Sequence, residues 1–483
     1  MIRLSAVKLA GAVFVLCAAT TIAVRAQTFT TLVDFDGTNG TLPGYGPLIQ
    51  ARDGSFYGTV MQGGTHDYGT IYRVTSSGEF ETVYNFCRKI YCPDGGQPSA
   101  GLLLTNDGNA YGTTYQGGAY GFGTIFQFSP RGHLTVVHSF DSSDGANPQA
   151  GLIQGADRNF YGTTNFGGTN GYGTIFRITR EGAFTTLHKF VGTDGANPFR
   201  ALVQADDGNF YGVTQGGGSN HQGTAFKITP SGTLTTLYNF CAQTNCTDGA
   251  GPNGLVQGSD GNFYGTTSEG GSPQCDIGCG TAFTLTLEGG LTTLYTFCLQ
   301  TGCADGEFPY AGLVQATDGN FYGTTYTGAI SGGGTIFKMT PGGMLTTMYF
   351  FCSESGCTDG ESPSAALLQA TNGSFYGTTY QGGDLSCGSG NDGCGTIFSL
   401  DVGLGPFVTF VRAEGRVGQT GGVLGQGFTG TTSVSLNGIA ANFTVVSDTF
   451  IKATVPAGAT TGYVTVATPS GTLTSNVKFY VIP

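Results

Sequence analysis

The pentapeptide FYGTT, or a close relative of it, returns seven times at intervals of about fifty residues, with its tyrosine at Tyr57, Tyr111, Tyr161, Tyr211, Tyr264, Tyr322 and Tyr376. A period of that length means that one supersecondary unit is copied and that each copy buries its apolar face on its neighbours. The copies carry the same four segments, the last of them missing from the seventh copy; in the third they read AGLIQG, NFYGTT, GTIFRIT and FTTLHKF. All four are rich in β-branched and aromatic residues and are bounded by Asp-Gly, Gly-Gly or Pro/Ser-Gly turns, so each reads as a short antiparallel strand. Four strands per copy and seven copies predict an all-β chain folded as a seven-bladed β-propeller, with an open β-solenoid as the competing arrangement.

A closing device favours the propeller. The seventh copy has AALLQA, SFYGTT and GTIFSLD but runs into VGLGPFV without a fourth strand. FTTLVDF at 29–35 matches the missing segment. It is expected to complete the last blade, so that no blade edge stays unpaired. Beyond the repeats, short alternating segments lie between Gly-rich turns, as in an immunoglobulin-like β-sandwich. The expected division is therefore a signal peptide at 1–26, a propeller at 27–402 and a sandwich at 403–483.

The leader reading rests on Arg3 and Lys8 before an apolar run, followed by Val24-Arg25-Ala26, a small-x-Ala cleavage pattern that would leave Gln27 as the first mature residue. Cys17 lies inside the apolar run with Leu16 where a lipoprotein signal needs a small residue, so ordinary export is preferred. No later segment is long and apolar enough to span a bilayer. An extracellular, cell-surface or periplasmic location follows. With only 19 Lys and Arg and a net charge of −12, nucleic acid is a poor partner.

The motifs DGNFYGTT, GTIFKITP and LTTLYNF resemble the Gloeo/Verruco tandem repeat of exported bacterial proteins, over about residues 28–400. That resemblance implies tandem repeats joined to varied surface anchors and carries no established activity. GQGFTG, VSLNG and ATVPAGATTG resemble an IPT/TIG immunoglobulin-like domain, which implies a spacer or adhesion module.

Connection lengths separate two faces. The first-to-second and third-to-fourth connections hold their length in every copy, as in Gly151 to Tyr161 and Gly173 to Phe190. The second-to-third connection and the link between copies vary, as in Tyr211 to Gly223 against Tyr376 to Gly395. In an antiparallel sheet the two variable connections leave on one face, where function is expected, and the constant ones form a base.

Twelve of the 13 cysteines follow the leader, and all fall in variable connections. They are read as six local disulfides: Cys87–Cys92, Cys241–Cys246, Cys275–Cys279, Cys298–Cys303, Cys352–Cys357 and Cys387–Cys394. Copies with short links lack both members of a pair. A zinc site would need four converging ligands and a redox couple a tighter spacing, so neither is expected and no metal or cofactor is assigned. Each staple is worth about 2 kcal/mol in the chain-entropy view and stiffens a loop.

Asp36, Asp94, Asp144, Asp194, Asp248, Asp305 and Asp359 precede glycine in every link. They are read as turn residues bonding their own backbone, with a cation at the channel mouth as the alternative. His66, His133, His138, His188 and His221 have no sequence-evident nucleophile partner, and no catalytic residue is assigned. Four positions past each motif tyrosine the copies differ, and ring closure would gather Met61, Tyr115, Tyr326 and Tyr380 into one aromatic ligand-binding sector; packing under the loops is the competing reading. The functional expectation is an exported, non-catalytic binding, adhesion or scaffold protein whose partner is a glycan or a cell-surface protein. A polysaccharide-active propeller enzyme is the alternative.

Overall fold

The computed structural model describes residues 27–329, 331–387 and 392–482; the leader read at 1–26, with Cys17, lies outside the described residues. From Thr28 to Asp401 the chain forms seven antiparallel sheets in succession. In the third, Ile153–Gln154, Phe160–Thr164, Thr174–Ile178 and Phe184–Lys189 pair in chain order. The first sheet gains one extra strand, Thr41–Pro43.

The seventh sheet takes its outer strand from the other end of the chain, Thr28–Asp34 pairing with Thr396–Asp401. The pairing register slips between Thr31 and Val33, leaving Leu32 as the extra residue. The third sheet slips at the corresponding place, with Leu187 extra between Thr186 and His188. The N-terminal strand thus reproduces the outer-strand bulge as well as the outer-strand sequence.

Successive sheets meet through the motif tyrosines. Tyr111 packs on Phe160 at 4.3 Å between ring centroids, Tyr161 on Phe210 at 4.0 Å, Tyr211 on Phe263 at 4.4 Å, Tyr264 on Phe321 at 4.0 Å and Tyr322 on Phe375 at 4.3 Å. Tyr376 of the last sheet lies 4.1 Å from Phe56 of the first. Gln50 and Thr371 also exchange hydrogen bonds at 3.0 and 3.1 Å. First and last sheets are therefore neighbours. The motif glycine is required by this packing: a Cβ on Gly162 would stand 2.6 Å from the Phe176 ring and 2.9 Å from Leu152. Any larger residue there would push these two side chains of the same sheet out of their packed positions.

Beyond the seven sheets, two four-stranded sheets enclose a core of Val408, Val423, Phe428, Ile451, Val466 and Phe479. This C-terminal unit rests on the constant turns. Phe407 N donates to Thr371 O at 3.0 Å, Thr449 Oγ1 to Arg52 O at 2.6 Å and Arg412 to Ala156 O at 2.8 Å. Those turns belong to the seventh, first and third sheets, so the unit reaches across the base and leaves the variable face clear.

Candidate functional site

At the entrance to each inner strand the residue just before the constant-length segment is small: Gly46, Ala100, Ala150, Asn253, Ala311 and Ala365. The inner strands converge so closely that a Cβ on Gly46 would lie 1.6 Å from Gly101 N. In the fourth copy this position holds Arg200. Its side chain has room only in the space the inner strands enclose, and it spans that space. One Nη donates to Tyr45 O of the first copy at 3.0 Å and the other to Tyr310 O of the sixth. The guanidinium lies 4.6 Å from the Phe199 ring centroid and 5.4 Å from that of Tyr45.

Arg200 keeps some accessible surface, but protein surrounds its guanidinium and its Nε has no partner. Among the described residues no carboxylate pairs with it. Burial brings its pKa down to about 10, opposed only by Tyr45. A buried cation held by carbonyls and aromatic rings without a carboxylate weighs against folding, because its desolvation is not matched by a counter-charge. Arg200→Met is therefore expected to leave the melting temperature unchanged or raise it, as measured by thermal unfolding at neutral pH. A drop of ten degrees or more would instead make Arg200 a structural clamp across the ring.

Above the guanidinium the copies gather half-buried tyrosines. Tyr45 and Tyr380 lie parallel at 6.5 Å, and Tyr310 meets Tyr326 edge-on at 5.2 Å. Burial raises the Tyr310 hydroxyl, with further contributions from Glu269, Tyr326 and Tyr45. Burial also raises Tyr380, helped by Tyr45 and Tyr326. The four rings are thus close enough to feel one another. Glu269, Glu307 and Glu361 edge the same sector, each beside the strand end of the fifth, sixth or seventh copy. Burial pushes the Glu269 carboxyl up, and burial with Asp392 does the same to Glu361.

The structure brings together Tyr326 and Tyr380 of the four sequence candidates. Met61 and Tyr115 stand at the matching positions of the first and second copies, and among the described residues the Tyr115 ring stacks on no other. Sequence reasoning missed Tyr45, Tyr310 and Arg200. The repeat register held a signal for each: Arg200 is the one charged residue in a column of small ones. Tyr45 and Tyr310 share a column with Ser99, Gln149, Phe199, Pro252 and Ser364.

Six disulfides border this face: Cys87–Cys92, Cys241–Cys246, Cys275–Cys279, Cys298–Cys303, Cys352–Cys357 and Cys387–Cys394, with Cα atoms 4.0 to 5.6 Å apart. All but Cys87–Cys92 lie in the links and loops of the fifth, sixth and seventh copies, which also hold Glu269, Glu307 and Glu361. Two clusters bring sulfur and carboxylate to coordinating distance: Cys275, Cys279 and Cys298 with Glu307, and Cys352 and Cys357 with Glu361. Their sulfurs are bonded in disulfides, which leaves a single carboxylate in each and too few ligands for a metal ion.

The Asp-Gly carboxylates face the outer strands instead of the channel. Asp94, Asp248, Asp305 and Asp359 accept from the hydroxyls of Tyr84, Tyr238, Tyr295 and Tyr349 at 2.7 to 2.9 Å. Asp144 and Asp194 meet His138 and His188, each at 2.8 Å. Asp36, whose outer strand offers Val33 at that place, binds the amides of Thr38 and Asn39.

Among solved structures the chain is similar to virginiamycin B lyase from Staphylococcus aureus, with a TM-score of 0.50, 15% identity, and 78% of this chain and 99% of that one covered. A fungal alcohol oxidase with copper gives a TM-score of 0.48 at 12% identity over 92% and 100% of the two chains. A putative 6-phosphogluconolactonase from Bacteroides fragilis gives 0.43 at 20% identity over 67% and 86%. At such identities the likeness concerns the fold alone, which is propeller-like. No curated protein sequence matches. The model of the Gloeobacter/Verrucomicrobia repeat matches residues 10–207 and 200–446, which together span all of the length that carries the seven sheets. The chain belongs to the Gloeobacter/Verrucomicrobia repeat family.

Proposed function

We propose that this is an exported, non-catalytic binding protein. In this reading the seven sheets are the blades of a propeller closed by the N-terminal strand, and the C-terminal unit is an immunoglobulin-like spacer of the IPT/TIG kind. The ligand is a glycan-type, polyhydroxylated molecule taken on the variable face. One observation carries the reading: Tyr45, Tyr310, Tyr326 and Tyr380 gather with Glu269 and Glu361 beside the Arg200 guanidinium. Tyrosine rings offer flat apolar faces with polar tips, suited to stacking on sugar rings in a chain without tryptophan. Carboxylates beside them accept hydrogen bonds from hydroxyls. Met61 and Tyr115 extend the rim. The disulfides hold the loops in place, which reduces the ordering cost of binding, and they suit an oxidising compartment. Among the described residues no helix is long and apolar enough to cross a membrane.

A second reading, a polysaccharide-active enzyme, rests on Glu269 and Glu361, whose carboxyls are raised in the direction a general acid needs. The experiment is a glycan array run beside a panel of polysaccharide substrates. Saturable binding without product is expected, and Tyr326→Ala or Tyr380→Ala should weaken it about tenfold while shifting the melting temperature little, since both rings are partly exposed. Product release at catalytic protein concentrations would replace the binding reading with the enzymatic one.

A further inference from the structure

We propose that the junction between the first and second sheets is a separate binding slot for a planar aromatic group carrying a carboxylate. At the six other junctions a motif tyrosine lies against a phenylalanine of the next sheet, with centroids 4.0 to 4.4 Å apart. Those six tyrosines are at most 3% exposed. The second copy reads NAYGT, placing Ala110 where the others have phenylalanine. Tyr57 consequently has no ring against it among the described residues and stays half-buried.

The lost volume is not restored elsewhere over Tyr57. Phe128, the cross-strand partner of Ala110, replaces the aliphatic residue found in the other copies, such as Ile178. Its ring turns to Tyr84, edge-on at 6.1 Å. What remains is a cleft of about 850 Å³ with Ile49, Tyr57, Leu104, Ala110 and Phe128 in its wall. The protein's own six junctions show what fits on that tyrosine face, namely a flat ring in contact with it.

The charge at the rim selects the substituent. Arg73 is tied to Asp53 at 2.9 Å, and Asp107 is engaged by Arg180. Arg131 makes no ion pair among the described residues. The Arg52 guanidinium bonds only the carbonyls of Thr105 and Asn106 and lies 4.7 Å from the Phe450 ring centroid. Two guanidiniums without a carboxylate partner among the described residues therefore share the cleft wall with one further acid, Glu81, which lies across the strands from Arg73. An anionic group on the bound ring balances the excess.

The test uses the mature chain with 2-naphthoate as probe, followed by calorimetry and ligand-observed NMR. Saturable binding is expected. The double substitution Ala110→Phe with Phe128→Ile writes the pattern of the other junctions into this one. It should lose binding at least about tenfold while melting at or above the parent temperature. Tyr57→Ala, at a partly exposed ring, should lose binding as well, and Tyr326→Ala should not. Cyclohexanecarboxylate should bind about three- to tenfold more weakly for want of a flat face, and 2-naphthylmethanol more weakly for want of charge. Absence of saturable naphthoate binding, or unchanged binding in both variants, would overturn the slot. Equal binding of cyclohexanecarboxylate would overturn its aromatic preference, and equal binding of 2-naphthylmethanol its preference for an anion.

Discussion

A chain of residues 37–483 is expected to be largely insoluble, or to melt at least 15 °C below a parent of residues 27–483. The strand Thr28–Asp34 is the outer edge of the seventh sheet, and its loss uncovers the backbone of Thr396–Asp401 along its whole length. Unpaired edges of that kind template aggregation. Side chains are lost too. Phe35 is fully buried between the first and seventh sheets, 5.5 Å from Tyr72 and 5.9 Å from Phe80. Phe29 stacks on Tyr349 at 3.8 Å and packs on Phe398 at 5.4 Å. Removing one buried phenylalanine costs about 3–5 kcal/mol, and a domain has only about 5–15 kcal/mol to lose. Thermal unfolding and light scattering of the truncated chain check the claim, with Phe35→Ala as the milder variant. A truncated chain that stays monomeric with the parental melting temperature would mean that the seventh sheet does not depend on this strand.

Asp305→Ala is expected to destabilise the protein by about 3–5 kcal/mol, because three neutral donors lose their acceptor at about 1–3 kcal/mol each. Asp305 has no accessible surface. Its carboxylate accepts from the Tyr295 hydroxyl at 2.8 Å, Leu299 N at 3.0 Å and Gln300 N at 3.1 Å. Alanine leaves all three donors without an acceptor, and each buried orphan carries its own desolvation cost. Asparagine keeps one acceptor and should cost less. The same experiment decides the role of the Asp-Gly series. If these residues are structural, chelators and added calcium leave the melting temperature of the parent protein unchanged and the Asp305→Ala loss persists in both. A calcium-dependent rise in melting temperature that disappears in the variant would instead establish a cation site.

Several features of the fold were legible in the chain because they are local or periodic. Alternating apolar and β-branched residues between glycine turns define strands over five or six positions, and a fifty-residue period shows that one unit is copied. FTTLVDF could be matched to the missing fourth strand of the last copy because outer strands share sequence, bulge included. The cysteine pairs could be read because their members are neighbours.

The site was less legible. Which residues meet at the mouth depends on how steeply the inner strands converge, and no single copy reveals that angle. Tyr45 and Arg200 touch across 155 positions of sequence. The pattern pointed to Tyr115 and Met61 as companions of Tyr326 and Tyr380; the structure supplies Tyr45 and Tyr310 from the links between copies. The Asp-Gly carboxylates look outward to Tyr295 and its counterparts because each link folds back on its own outer strand. Ala110 and Phe128 look like ordinary core variation until ring contacts show Tyr57 uncovered. Strand identity follows from short-range sterics and turn chemistry, which a sequence states residue by residue. The contents of the mouth and of the first junction follow from packing between distant copies, and that is decided only when the sheets close on one another.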